Sequence, residues 1–449
     1  MPVLPLPAGA FRGGTPREGK GRLRRPSATV ASKKSLCGYN EDLMSGFSEE
    51  ITLEGHLIDS WILPKVFDTV MDLGGSFDLQ EIHVGRRKDE TTFARLKVTG
   101  TSDSHLDSIL TALQQYGAVM VSANDVRTVP APCNGALPDE FYSTTHMPTE
   151  VRMKGRWLPV EGTEMDLAIV VNPEQMRARM VPMAEIRKND SIVVGHEGIR
   201  VMPPQRSRER EIFSFMGSDV SSERPKRLVI DEIARQMREI RSRKGKIVVV
   251  AGPAIVHSGA GPHLARMIRA GFVQALFGGN AIATHDVESA LMGTSLGVAL
   301  KSGQPVEGGH RHHMYAINAI RRAGSLRAAV DAGILKEGIM YECIKNNVDV
   351  VLAGSVRDDG PLPDVITDMA EAQRRMRESV KGAEMALMIA TMLHSIATGN
   401  LLPASVKVVA VDINPAVVTK LADRGTFQAL GLVTDAELFV RELAQALEV

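Results

Sequence analysis

Cysteine is scarce in this chain: its 449 residues include three, Cys37, Cys133 and Cys343. An odd number at wide spacing, with no secretion signal, argues against a disulfide framework and for a reducing, cytoplasmic setting. No CxxC or HExxH pair occurs, so no structural zinc is expected. No apolar run approaches the ~20 residues of a membrane span, so no membrane partner is expected. Charge of one sign is also missing, because 53 Lys and Arg balance 53 Asp and Glu. Bulk charge therefore gives the body no case for binding nucleic acid.

That balance hides one asymmetry. Residues 1–34 carry eight basic side chains, from Arg12 to Lys34, against the single acid Glu18. Residues 1–47, rich in Pro, Gly, Ser and Arg and without periodicity, read as a disordered basic tail. Such a segment can mimic an organelle transit peptide; the alternative is a structureless tail upstream of a start at Met44.

Three units follow. Residues 48–125 alternate strand-like and helix-like runs in the order βαββαβ, the ferredoxin-like pattern of an α+β unit. It carries no catalytic constellation and reads as a regulatory or oligomerisation module, so a homo-oligomer is expected. Residues 126–222 hold Pro130, Pro132, Pro138, Pro148 and Pro159, which exclude long helices. Short runs at 166–171, 191–194 and 198–201 suggest a small β-rich domain, and its polar loop 133–146 is too dense in side chains for a mere connector. Residues 223–449 open with a charged helix to Lys244. They continue with apolar strands at 247–251, 273–277, 348–352 and 406–411 separated by helices, an α/β pattern that implies a doubly wound parallel sheet. The apolar run Ala383–Ala397, interrupted by Glu384 and His394, reads as a buried helix.

The third unit also holds the glycine turns. Gly252, Gly259 and Gly261 follow the first strand, and Gly278-Gly279-Asn280-Ala281 follows the second. Two strand–glycine–helix passages in succession suggest a nucleotide along the strand ends, with helix N-termini facing its phosphates. The full dinucleotide fingerprint is absent: Gly259-Ala260-Gly261 supplies GxG, but Leu264 stands where the third glycine belongs. Any nucleotide is therefore held by a variant arrangement. Candidate contacts are Gly279, Asn280 and Ala281, then Ala353, Gly354 and Ser355, then Asp412, Ile413 and Asn414. Asp412 could accept two ribose hydroxyls or cap the helix after Pro415.

Other groups could carry chemistry. In Gly308-Gly309-His310-Arg311-His312-His313, the Arg311 fork suits a substrate carboxylate; the alternative is a charged first helical turn. His257, His285 and Asp286 flank the glycine turns as candidate acids or bases. Cys133 lacks an evident base and reads as structural or substrate-lining, and Cys343 as core.

Several runs carry a resemblance. TLEGHLIDS (52–60), GRRKDETTFARL (85–96) and FYSTT (141–145) resemble the conserved region named from the bifunctional lysine-ketoglutarate reductase/saccharopine dehydrogenases. AGPAIVHSGAG (251–261), GGNAIATHDVE (278–288), GHRHHMYAIN (309–318) and LAGSVRDDGPLPD (352–364) extend the match. Together, over about 48–447, they resemble the archaeal-type ornithine cyclodeaminases, also found as the C-terminal half of cyanobacterial arginine dihydrolase fusions.

The resemblance implies a C-terminal NAD domain similar to that of deoxyhypusine synthase. It also implies a closed redox cycle on L-ornithine: oxidation at the α-carbon, attack by the δ-amine, loss of ammonia, and reduction of the cyclic imine to L-proline. Such a cycle needs tightly held NAD and exclusion of water. The expected roles are Arg311 as carboxylate clamp, Asp358 or Asp359 as acid or base, and His257 and Asn280 as polar lining. The rival readings are a dehydrogenase or lyase on another basic amino acid such as lysine, a non-catalytic NAD or amino-acid sensor, and a transferase resembling deoxyhypusine synthase.

Overall fold

The structure is a computed structural model and describes residues 47–58, 61–87, 90–121, 124–202, 226–358, 360–424 and 429–449. Residues 1–46 of the expected basic tail, the boundary at 222/223 and Asp359 fall outside these described residues, while Phe47, the last residue of that expected tail, already belongs to the first strand.

The first unit comprises β1 (Phe47–Gly55), α1 (Ile62–Asp72), β2 (Ser76–His83), β3 (Thr92–Gly100), α2 (Asp103–Gln114) and β4 (Val119–Met120). Its sheet runs β2-β3-β1-β4 with antiparallel pairing throughout, the ferredoxin-like arrangement. Alternation along β1 and β3 sends Ile51, Leu53, Ala94, Leu96 and Val98 to one face, where Val66, Val70, Ile109 and Leu113 of the two helices bury them. Ser102 caps α2 by accepting the His105 N–H.

The middle unit is a seven-stranded sheet in the order β11-β6-β7-β9-β8-β10-β5. Its strands are β5 (Arg127–Pro130), β6 (Thr149–Met153), β7 (Arg156–Glu161), β8 (Ala168–Asn172), β9 (Arg177–Val181), β10 (Ser191–Val194) and β11 (Ile199–Val201). The sequence reading found three of these seven; β5 and β7 carry Pro130 and Pro159, and their interrupted alternation hid them.

In the third unit α3 (Lys226–Ser242) leads into β12 (Lys246–Ala251), α4 (Ala254–His257), α5 (Gly261–Arg269), β13 (Ala275–Gly279) and α6 (Asn280–Met292). A small hairpin, β14 (Thr294–Ser295) and β15 (Val298–Ala299), precedes α7 (His312–Ala323), α8 (Leu326–Asp331), α9 (Ile339–Lys345), β16 (Asp349–Ala353) and β17 (Val365–Ile366). Then come α10 (Met369–Ser379), β18 (Ala383–Ile389), α11 (Leu393–Leu401), β19 (Lys407–Asp412), α12 (Pro415–Arg424), β20 (Ala429–Val433) and α13 (Ala436–Ala446).

The seven parallel strands run β17-β16-β13-β12-β18-β19-β20. The chain steps outward from β12 in one direction, then returns to β18 on its other side. The order therefore reverses between β12 and β18, where open α/β sheets bind ligands. Both faces are covered: Ile247, Val249 and Ala251 enter one core, Val248 and Val250 the other.

One expectation is overturned. Ala383–Ala397 is no single buried helix but strand β18 followed by helix α11. A short apolar run fits a fully buried parallel strand as well as a helix, and the break falls at Ala390, whose φ is 53°.

The middle and third units are tied directly. Arg377 on α10 donates from Nε (2.6 Å) and Nη2 (2.8 Å) to the two oxygens of Glu164. The His146 ring donates to the Leu402 carbonyl (2.8 Å), and Ala404 N–H returns a bond to the His146 carbonyl (2.8 Å). The Thr144 hydroxyl binds the Glu164 carbonyl (2.6 Å) and accepts the Leu167 N–H. The dense loop 133–146 is thus in part a domain junction.

Candidate active site

At the C-terminal edge of the parallel sheet, Gly252 directly follows β12 and donates its N–H to the Ile389 carbonyl (2.9 Å). A methyl group there would overlap the Ala390 carbonyl oxygen, so glycine is required for this approach of backbones. Ala390, left-handed without being glycine, marks stored strain at the reversal point.

His394, in the first turn of α11, reaches across this edge. A Cβ on Gly279 would stand 3.0 Å from its Cε1 and 3.3 Å from its Nε2. The ring donates to the Ala353 carbonyl at the end of β16, and Thr391 faces its Nδ1 at 3.3 Å. Burial holds this imidazole below the ordinary histidine range, against the pull of the Ala353 carbonyl and of Asp358. His394 therefore joins three strand ends. The sequence reading noted it only as a polar interruption; the available signal was a histidine just past a strand end.

Asn280 and Asp358 complete the cluster. Asn280 Nδ2 lies 3.4 Å from Asp358 Oδ1, and Asn280 Oδ1 accepts from the Leu362 N–H (3.0 Å) and the Thr284 hydroxyl (3.2 Å). Asp358 Oδ2 accepts the Ser355 N–H (2.8 Å). The structure thus brings Gly279, Asn280, Ala353, Ser355 and Asp358 to one place. Gly354 closes the same turn, donating to the Ile366 carbonyl, and Ala281 follows in the first turn of α6.

Asp412, Ile413 and Asn414 lie at the end of β19, three strands from Gly279, or about 14 Å at the usual interstrand spacing. The helix cap is Asn414, whose side chain accepts the Ala416 N–H (3.0 Å). Asp412 is therefore not the cap. Its Oδ1 accepts the Asn414 N–H (2.8 Å), and its Oδ2 takes no bond among the described residues. Helices α6 and α11 begin at this edge with no side-chain cap, leaving N–H groups directed at the crevice.

Beside this edge is a second cluster. His257 Nδ1 lies 2.6 Å from Ser295 Oγ, and its ring meets His285 edge-on at 4.6 Å between centroids. His285 bonds Glu288 (2.8 Å), a fully buried carboxylate that also accepts from Thr294 (2.9 Å) and from Gly297 N–H (3.1 Å). Thr294 meets His312 Nδ1 at 2.7 Å. Burial and the neighbouring His285 hold His257 below its ordinary range, so it is neutral near pH 7. Burial pushes Glu288 up, but its hydrogen bonds outweigh that and keep it ionised.

Other expected residues stand apart. Arg311 is exposed on the 3-10 turn Gly309–Arg311, with its Nε 3.4 Å from His310. It reaches the His257 cluster only through the neighbouring His312 and the Gly309–Gly297 backbone contact. Asp286 is a structural acceptor: burial raises its pKa to about 6, while it binds the Ile339 and Met340 N–H groups at 2.8 and 2.7 Å. Cys133 is exposed, and burial pushes the core Cys343 thiol well up. No group of metal-binding side chains and no helix long and apolar enough to cross a membrane occurs among the described residues. A concavity of about 700 Å³ on the middle sheet, lined by Arg177, Arg179 and Asp190, shares no residue with the crevice. The chemistry is assigned to the crevice because the paired acid, amide and imidazole groups lie there.

Three family models cover these units: the LOR/SDH bifunctional enzyme conserved region over residues 48–147, the first C-terminal region of ArgZ-like arginine dihydrolases over 148–230, and the Rossmann fold of that C-terminal part over 231–443. The chain is 57% identical over 408 residues to the ornithine cyclodeaminase of Methanocaldococcus jannaschii, covering 90% of this chain and 96% of that protein. It is 46% identical over 408 residues to the bifunctional arginine dihydrolase/ornithine cyclodeaminase of a Nostoc species, covering 89% of this chain and 58% of that longer protein. The crystal structure of a conserved LOR/SDH protein from Methanococcus maripaludis matches with a TM-score of 0.69 and 52% identity, over 73% of this chain and 97% of that one.

Proposed function

The chain belongs to the ornithine cyclodeaminase family, and on that premise we propose that it converts L-ornithine to L-proline and ammonia with NAD bound at the strand-end crevice. The observation that carries the reading is the meeting of His394, Gly279, Ala353, Asn280 and Asp358 beside the point of strand-order reversal.

The residues fit the cofactor. The uncapped N-termini of α6 and α11 offer N–H groups to pyrophosphate oxygens. Asp412, about 14 Å along the edge, offers its second oxygen to a ribose diol. The turns Gly279-Asn280-Ala281 and Ala353-Gly354-Ser355 present backbone between these points. NAD held there would supply reversible hydride acceptance at the substrate α-carbon, so that the overall reaction shows no net oxidation.

This chain's own residues then have three tasks. Arg311, carried on the exposed turn beside the His257 cluster rather than at the strand ends, would hold the α-carboxylate through its two-pronged fork when substrate spans the two clusters. Asp358, with Asp359 beside it in sequence, holds the δ-ammonium and takes its proton. His257 and His394, both kept neutral by burial, are the imidazoles that accept or carry protons. The protein acts as a homo-oligomer in the cytoplasm and supplies proline.

Incubation of the purified chain with L-ornithine and NAD⁺ tests this reading. Equimolar proline and ammonia without accumulating NADH is the expected result. NADH rising with turnover would mean an ordinary dehydrogenase, and no product with NAD bound would move the reading to another amino acid or a sensor.

A further inference from the structure

The ferredoxin-like unit takes no part in the crevice, yet its edge strand has an unusual pattern. Among the described residues β2 is hydrogen-bonded on one side only, to β3. Leu79 (38%), Ile82 (39%) and the following Val84 (50%) are exposed apolar side chains. Regular alternation would place Leu79 and Ile82 on opposite faces. The register shows otherwise: Phe77, Leu79 and Ile82 stand opposite Val98, Leu96 and Ala94, all three of which point to the helix-covered core face.

The cause is a bulge. Pairing runs Leu79↔Leu96 and then Glu81↔Arg95, so Gln80 is the extra residue. Gln80 points to the opposite face, where its amide reaches Glu50 (3.2 Å), and Glu81 approaches Arg95 on that face (3.6 Å). From Phe77 to Val84 the faces therefore read core, out, core, out, out, core, out, core. This sequence of faces is the same read backwards, with its centre between Gln80 and Glu81.

We propose that β2 is a homodimer edge, pairing antiparallel with β2 of a second copy about a two-fold axis between Gln80 and Glu81. A two-fold axis normal to the sheet keeps each face on its own side, so facing residues must share a face. In this register Phe77 faces the partner's Val84, Leu79 the partner's Ile82, and Asp78 the partner's His83. The pairing covers the exposed apolar residues of both strands and sets the Asp78 carboxylate opposite the imidazole of the partner's His83, whose ring also meets Glu81 of its own strand (2.8 Å). Charges and a bulge ordinarily blunt an edge against association; here the bulge restores the match, because without it Leu79 and Ile82 would lie on different faces.

Molar mass of the full-length chain, measured by light scattering during size exclusion, tests the proposal. Leu79→Lys and Ile82→Lys should each halve the assembly mass while circular dichroism stays native. Asp78→Lys should weaken association, and Asp78→Lys with His83→Asp should restore it. A monomeric wild type would overturn the proposal, as would an unchanged mass in both lysine variants. If Leu79→Lys unfolds, Ile82→Lys and the charge exchange decide, and failure of the exchange to rescue excludes this register. These readouts do not depend on turnover, so they stand or fall apart from the assigned reaction.

Discussion

Gly252 and Ala390 meet where the strand order reverses, and the backbone of one occupies the space a side chain on the other would need. Gly252→Ala should force the ends of β12 and β18 apart, costing about 3 kcal/mol or more by overpacking against backbone. Ala390→Gly should have the opposite sign, because φ 53° is strained for alanine; relief of up to about 1 kcal/mol is expected. Chemical denaturation of the two variants checks both signs.

Asp412 offers a sharper test of the cofactor. Asp412→Asn keeps an oxygen for the Asn414 N–H but loses the charged acceptor for a diol. The expected outcome is an NAD dissociation constant raised by about tenfold, equivalent to about 1.4 kcal/mol, with an unchanged melting temperature. Calorimetric titration with NAD⁺ reads the first and thermal unfolding the second.

The pH dependence of stability combines two opposed groups. Burial depresses His257, His263 and His394. The folded state therefore binds their protons less readily than the unfolded chain, and stability falls as pH drops below about 6.5 through the folded values. Asp286 acts the other way: burial raises it to about 6, so its contribution is greatest below about 4 and is lost as pH rises through 6. Asp286→Asn should therefore steepen the acid loss of stability, and His394→Gln should flatten it. Melting temperatures measured from pH 4 to 8 show either slope.

Arg377 and Glu164 join the middle and third units through a two-point ion pair whose carboxylate is buried and whose guanidinium is partly exposed. Arg377→Ala leaves the Glu164 carboxylate buried without its guanidinium and should cost about 3–5 kcal/mol. Arg377→Lys keeps the charge but not the fork, and should recover only part of that loss. Denaturation midpoints distinguish the two.

The sequence legibility of these features follows physical lines. The four strands of the ferredoxin-like unit and β12, β13, β16 and β19 announce themselves through period-2 or continuous apolar runs. β18 does not, because Ala383–Ile389 is as apolar as a buried helix and ends without Gly or Pro. The glycine turns at 278–281 and 352–355 locate the crevice. His394 escapes because its role arises from parallel pairing of strands more than a hundred residues apart, which no local spacing encodes. The bulge at Gln80 escapes for the same reason: only the register against β3 reveals that Leu79 and Ile82 share a face.

The central claim is that one molecule of ornithine keeps its own α-hydrogen through turnover. L-Ornithine deuterated at the α-carbon, supplied with unlabelled NAD⁺ in ordinary water, should give proline with deuterium retained at the α-carbon, read by mass spectrometry. Proline carrying hydrogen there, with deuterium in the nicotinamide or solvent pool, would contradict the closed cycle.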